Sequence, residues 1–308
     1  MNIHAPSLLS ARPSRSISAA MTSSPARSSP NLALSAPLPD LAAWVALFAR
    51  AEIPVLGETA DKLELLRANE DAADANNLGE MIASDPLMSL KVLAHVAHQR
   101  ATHRSARLQT DAETVIAALV LMGITPFFRE FGPQPIVEDK LAAQPWALQG
   151  LQRVLRRAER ASRLALGFAV HRLDPDAPVI HSAALLHDFA EMLLWVHAPE
   201  LAQEIRKRQM ADRQLRSAEV QRAVLNIELS DLEQALMAEW HLPELLQHIT
   251  DDKRAHDPQV RCVNLAVRLA RHTADGWDDE AIPDDVSEIA ELLNLSTEAT
   301  LTLLHEFD

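Results

Sequence analysis

The sharpest chemical feature of the sequence is an adjacent imidazole and carboxylate, His187-Asp188, inside the apolar run 183–196. Metal-dependent hydrolases use such pairs, because a divalent ion takes nitrogen and oxygen ligands and brings the pKa of a bound water close to neutrality. Two neighbouring residues cannot enclose an ion, since about three protein ligands hold a catalytic zinc and about four close a structural one. A working site therefore needs ligands from elsewhere in the chain.

The elements that would position this pair are all predicted to be helices. Leu and Ala dominate the sequence, aromatic residues reach only 4%, and apolar residues recur at helical spacing without a competing alternating pattern. The predicted helices cover residues 40–51, 59–67, 78–84, 86–99, 111–123, 145–171, 178–196, 199–208, 217–226, 230–240, 243–250, 258–275 and 286–293, with a last one from Ser296. The expected fold class is all-α.

Cap residues fix some of these helix starts more firmly than others. Asp85-Pro86 and Asp111 each offer a carboxylate that can accept from the free amides of a first turn. Ser230 followed by Glu233 has the spacing of a capping box, in which each side chain satisfies the other residue's amide.

Charge and composition exclude several classes of function. The formal net charge is −14, and an acidic surface repels nucleic acids and anionic membranes. Seven scattered glycines form no phosphate-binding loop, and the single cysteine, Cys262, permits no internal disulfide. We therefore expect a soluble, cytoplasmic protein that binds neither nucleic acid nor membrane.

Residues 1–39 differ from the rest of the chain. They contain no acid, three arginines (Arg12, Arg15 and Arg27) and many Ser, Pro and Ala residues, a composition typical of disorder. A transit peptide is an alternative, although the prolines interrupt any amphipathic helix, and Met21 is an alternative start.

Several separate blocks carry a resemblance to a known family. They are Ile53-Pro-Val-Leu with residues 59–66, the Asp85-Pro86 block over residues 78–95, residues 111–123, the Ala-Ala-Leu-Leu-His187-Asp188 block, Glu219, and Trp240-His-Leu-Pro243. In this order they resemble the HDOD domain, a relative of the HD metal-dependent phosphohydrolases. The resemblance implies two helical lobes, at about 40–132 and 145–275, joined near residues 132–145 and followed by helices to residue 308, with the second lobe HD-like. It also implies a role in bacterial signal transduction, a setting where such domains often accompany cyclic-di-GMP modules, although this chain contains only the helical unit after its tail.

The ligand set of an active HD enzyme is not carried over. No histidine lies between His103 and His171 to serve as the first ligand, and Val267 falls where a closing aspartate is expected. Glu228 and the pair Asp251-Asp252 fall at or near three histidine positions of the family pattern.

Two interpretations of the pair remain open. His187 and Asp188 could join Glu228, Asp251 and Asp252 in an oxygen-rich site for Mg or Mn. We favour a vestigial pair without cofactor, in which His187 and Asp188 bond locally to side chains on the same helix face, four residues on at Glu191 and seven back at His181.

These observations favour a non-catalytic regulatory protein that acts on a signalling partner, with a possible link to cyclic dinucleotide pathways. The alternative is a metal-dependent phosphohydrolase acting on a nucleotide or cyclic dinucleotide, and ligand sensing in the pocket is a third hypothesis. Helix 145–171 also carries a basic face, expected to be solvated or to contact an acidic partner. Its members are Arg153, Arg156, Arg157, Arg160 and Arg163.

Overall fold

A computed structural model of the chain describes residues 33–70, 73–102, 111–212 and 215–307. The predicted tail therefore lies mostly outside the described residues. Its last part is packed: Leu34 and Leu38 lie against the core, and the Leu34 amide donates to the carbonyl of His197 at 2.9 Å. Residues just before the predicted boundary at residue 39 thus contact the folded part of the chain through two partly buried leucines.

The described residues form α-helices joined by short turns, as the sequence predicts. They are α1 Leu41–Phe48, α2 Gly57–Arg67, α3 Ala75–Ala83, α4 Pro86–Thr102, α5 Val115–Met122, α6 Ile124–Glu130, α7 Val137–Lys140, α8 Pro145–His171, α9 Ala177–Leu186, α10 Phe189–His197, α11 Pro199–Ala211, α12 Ser217–Leu225, α13 Leu229–Glu239, α14 Glu244–Ile249, α15 Pro258–His272, α16 Ile282–Leu293 and α17 Thr297–Glu306. A short 3-10 turn, Asp252–Arg254, precedes α15. Within the described ranges no strand forms, and one isolated parallel bridge pairs Val55 with Ile136.

The predicted caps are partly correct. Asp85 accepts from the amides of Leu87 and Met88 at 2.9 and 3.1 Å and so begins α4 as expected. Asp111 does not begin α5: it pairs with Arg100, and the Thr114 hydroxyl caps the helix three residues later. Asp111 therefore pairs with Arg100 instead of capping α5 as the local sequence predicts.

The interior of the second lobe is built on α8, which packs against α9 and α15. Its buried face includes Leu151, Val154, Leu164 and Phe168, each of which stabilises the fold by roughly 1.5–3 kcal/mol. Gly150 lets the ring of Trp195 lie directly against the helix, 2.4 Å from where a Cβ would stand. Helix α8 is therefore the central helix of the second lobe.

Helix α1, which the sequence prediction places in the first lobe, lies against a helix of the second. It packs against α13, and the Trp44 indole donates to the carbonyl of Leu225 at 3.0 Å. Trp44 and Phe48 are fully buried there, because the second lobe offers the apolar surface that this short helix needs. The chain then enters the first lobe at Val55 and leaves it at Ile136, where the two segments are hydrogen-bonded.

The stretch predicted as one helix, 178–196, is two helices. Helix α9 ends at Leu186 and α10 begins at Phe189. By length and composition the combined stretch Ala177–His197 could cross a membrane. However, 78% of its most apolar 18-residue segment is buried inside the protein, as in the core helix of a soluble protein. The break between the two helices falls on the His187-Asp188 pair.

Candidate functional site

The break at His187-Asp188 is made by a long-range contact. Asp188 has φ −106° and ψ 23°, outside the helical region, and the Ala190 amide donates to the carboxyl of Glu233 at 3.2 Å. Glu233 therefore does not form the predicted capping box with Ser230, and α13 starts at Leu229 without a side-chain cap. The turn aims the imidazole and the carboxylate into the space between α8, α13 and the 3-10 turn.

His187 is held by a carboxylate at each ring nitrogen. Its Nδ1 lies 3.3 Å from Asp188 Oδ1, and its Nε2 lies 2.9 Å from Asp252 Oδ1. The imidazole side chain is 10% exposed, whereas Asp252 is 45% exposed. The ring thus ties the 3-10 turn to the start of α10.

Asp188 is held by cations of the chain itself. Arg157, on α8, donates to Asp188 Oδ2 at 3.0 Å and to Glu191 Oε2 at 2.7 Å. Arg271, on α15, lies 3.5 Å from Asp188 Oδ1. Glu191 also accepts from the Trp195 indole at 3.3 Å. We call these side chains the charge cluster, whose members are Arg157, His187, Asp188, Glu191, Glu233, Asp252 and Arg271.

The pKa shifts in the charge cluster follow from burial and pairing. Burial alone would lower the pKa of His187, but hydrogen bonds to Asp188 and Asp252 raise that pKa well above its ordinary value. Burial would raise the pKa of Asp188, but His187, Arg157 and Arg271 hold it well below its usual range. Burial raises the pKa of Glu233 well above its ordinary value, which favours a neutral carboxyl. The imidazole is therefore a cation that donates from both nitrogens.

The arrangement does not fit a metal ion. Both ring nitrogens of His187 face carboxylates, and both oxygens of Asp188 face positive groups of the protein, so the strongest contacts of the pair are made within the chain. In the described part of the chain, no group of three His, Cys, Asp or Glu side chains is placed to hold a metal.

The structure brings only one of the three additional predicted ligands to the pair. Asp252 reaches His187, as described. Glu228 pairs instead with Arg222, while Asp251 accepts from the Lys253 amide and from Arg254 at 3.1 Å each. The five predicted ligands therefore do not converge in this structure, because Glu228 and Asp251 pair with bases near them in sequence.

The structure also does not pair His187 and Asp188 with the local partners predicted for them. The break in the helix removes the four-residue register between His187 and Glu191, and Glu191 turns to Arg157. Among the described residues, no hydrogen bond or ion pair joins His181 to Asp188, and burial lowers the pKa of His181. The sequence missed the roles of Arg157, Glu233 and Arg271. A helical wheel gives one signal, since Arg157 lies three residues after buried Val154 and four before buried Ala161, at the edge of the buried face.

Comparison with known proteins identifies the family. The sequence model of the HDOD domain family matches residues 53–256, about two thirds of the chain. The chain therefore belongs to this family. A search of curated proteins found no match.

Two of the solved structures described below, those of MmoQ and the virulence factor, share the fold at low sequence identity. The MmoQ response regulator of Methylococcus capsulatus str. Bath is 18% identical with a TM-score of 0.62, covering 83% of this chain and 99% of its own. A virulence factor of Campylobacter jejuni subsp. jejuni is 16% identical with a TM-score of 0.58, covering 87% and 98%. An HDOD domain protein of Geobacter sulfurreducens is 13% identical with a TM-score of 0.43, covering 87% and 95%. The family and the all-α fold expected from the sequence are both confirmed.

Proposed function

We propose that this protein is a non-catalytic, cytoplasmic regulator of signal transduction that acts by binding a partner protein. The observation that carries the proposal is the position of Arg157, whose guanidinium donates to Asp188 Oδ2 at 3.0 Å and supplies the positive charge beside that carboxylate from within the chain. A guanidinium is always charged, and this one lies between two carboxylates, so it stabilises the ionised form of Asp188.

The remaining contacts support the same proposal. His187 lies between two carboxylates, which raise its pKa and favour the protonated imidazole, a form without a lone pair for a base or a ligand. Membership of the HDOD family supports a regulatory role, and a similar fold in a response regulator is consistent with it. His187 and Asp188 thus connect α8, the start of α10 and the 3-10 turn through hydrogen bonds.

Metal dependence tests the proposal directly. Purified protein is titrated with Mn²⁺ and Mg²⁺ in a thermal-unfolding assay and then treated with a chelator. A ligand that binds the native state stabilises it by mass action and raises the midpoint. Because we expect neither ion to bind, we expect an unchanged midpoint in every sample. A midpoint raised by the metal, and lost in Asp188→Asn, would overturn the proposal.

Catalysis is tested in parallel. We expect no phosphate release from bis-p-nitrophenyl phosphate, nucleoside monophosphates or cyclic dinucleotides with either metal. Turnover that depends on metal and disappears in both Asp188→Asn and Asp252→Asn would support the phosphohydrolase alternative instead. Arg208→Gln, a change in an exposed pair on α11, serves as the control variant.

A further inference from the structure

The exposed face of α8 carries a surface that neither the core nor the charge cluster uses. Its first part presents Arg153, Arg156 and Arg163 to solvent, and its second part presents Leu166 and Val170, which are 36% and 58% exposed. Successive spacings of three, seven, three and four residues keep these side chains on one side of the helix. The stripe from Arg153 to Val170 is about 26 Å long at 1.5 Å per residue.

Leu173 extends the stripe just beyond the helix. Its side chain is 88% exposed and its φ is +56°, in the left-handed region. The Asp174 amide donates to the Ala169 carbonyl at 2.9 Å and closes the helix end around it. Two other helices end on a left-handed residue at Asn226 and Asn294, a residue type that tolerates this backbone. A leucine here is unfavourable both for its backbone and for its exposed side chain, so folding of the isolated chain gives no reason for it.

The charges of the stripe contrast with those of the whole protein. Within the described residues, neither Arg153 nor Arg156 forms an ion pair, and Arg163 has only the exposed Glu159 at 3.4 Å. The net charge of −14 repels long polyanions and anionic bilayers, which experience the field of the whole molecule. A short acidic segment seated on the stripe experiences mainly these arginines, because charges beyond about 10 Å are screened at 0.1 M salt.

We propose that this stripe is the docking surface for an acidic amphipathic helix of a partner protein. The stripe consists of Arg153, Arg156, Arg163, Leu166, Val170 and Leu173. Carboxylates of the partner would pair with the arginines, and its apolar side chains would cover the leucines and the valine. The inference rests on the proposed function, since it names the surface through which a partner is bound.

Two synthetic helical peptides of about 18 residues, or five turns, provide the probe. Both carry leucine at alternating three- and four-residue spacing; one is flanked by glutamates and the other by lysines at the same positions. Their binding to the full chain is followed by fluorescence anisotropy at low and high salt. We expect the acidic peptide alone to bind, with affinity that falls as salt rises.

Variants of the stripe separate binding from folding. Arg153→Glu with Arg156→Glu is expected to weaken the acidic peptide by at least about tenfold, whereas Arg208→Glu on α11 has little effect. Leu173→Asn is expected to weaken binding while raising the midpoint of thermal unfolding, because asparagine suits the left-handed backbone. Opposite effects of one substitution on stability and on binding are not expected of a merely structural leucine.

Several results would overturn the inference. Equal binding of the two peptides, or acidic-peptide binding that is unchanged in the double arginine variant, rules out this docking surface. Binding of phosphatidylserine vesicles that is lost in that variant would assign the stripe to a membrane instead. Concentration-dependent dimerisation lost in the same variant would assign it to a second copy of the chain. None of these measurements involves metal or turnover, so their failure is separate from failure of the proposed function.

Discussion

Asp188→Asn in metal-free protein distinguishes a carboxylate built for a metal from one built for Arg157. The substitution keeps the shape of the side chain and removes its charge. A carboxylate surrounded by other unpaired metal ligands repels them, so neutralising it stabilises the empty protein. Asp188 instead faces Arg157, Arg271 and a cationic His187, so the same change should destabilise it.

The size of the stability loss follows from the burial of the ion pair and from the partner that Arg157 keeps. Removing one partner of a buried ion pair costs about 3–5 kcal/mol, because the other charge is left without compensation. Arg157 is only 20% exposed, but it retains Glu191 at 2.7 Å, so we expect the lower end of that range, about 3 kcal/mol. At roughly 2–4 °C per kcal/mol, the midpoint of thermal unfolding falls by about 6–12 °C.

Urea unfolding followed by circular dichroism measures the effect, with linear extrapolation for each variant. Arg157→Met keeps the apolar stem of the arginine and removes the guanidinium, and the double variant completes a thermodynamic cycle. We expect a favourable coupling energy of about 0.5–3 kcal/mol between the two positions.

An Asp188→Asn protein that is as stable as the parent, or more stable, would refute this reasoning. It would mean that the cluster is electrostatically frustrated in the metal-free protein, as expected of a site that awaits a cation. Destabilisation with zero coupling to Arg157 would place the effect on Arg271 or His187 instead.

Three further predictions concern other parts of the second lobe. Glu233→Gln should flatten the decline in stability between pH 5 and pH 8. The native state keeps Glu233 protonated at pH values above its ordinary pKa of about 4.3, so the native protein loses stability as pH rises. An unchanged pH dependence of the melting temperature would contradict this. Gly150→Ala should cost about 1–2 kcal/mol in urea unfolding despite a helix-propensity gain of about 1 kcal/mol, because its Cβ would overlap the Trp195 ring, and a stabilised variant would show that the ring moves freely. Cys262 is buried, and burial raises the pKa of its thiol to about 12, so Ellman's reagent should label it only as the protein unfolds; rapid labelling of native protein would contradict the packing of α15.

The helices and the family could be predicted because their signals are local. Helical spacing and the Asp85 cap depend on residues within a few positions of one another, and the structure places α4 as expected. Short sequence blocks such as the His187-Asp188 run indicate the family without any knowledge of contacts.

The electrostatics of the site could not be predicted in the same way. Glu233 has a local partner in sequence at Ser230 and a distant one at the Ala190 amide, and only the packing of α13 against α10 decides between them. Arg157 is one of five arginines on α8, and only the position of Asp188 and Glu191 shows which of the five is internal. Long-range contacts of this kind have no spacing rule.

The hydrogen-bonded pair at Val55 and Ile136 makes the first lobe topologically an inserted domain. The Val55 amide donates to the Pro135 carbonyl and the Val137 amide donates to the Val55 carbonyl, each at 2.9 Å, so the chain enters and leaves helices α2–α6 through one narrow neck. With α1 already seated on α13, residues on both sides of the insertion belong to the same body. Because the two connections are hydrogen-bonded to each other, a displacement of one is transmitted to the other, while α4 also contacts α9 and α10 of the second lobe.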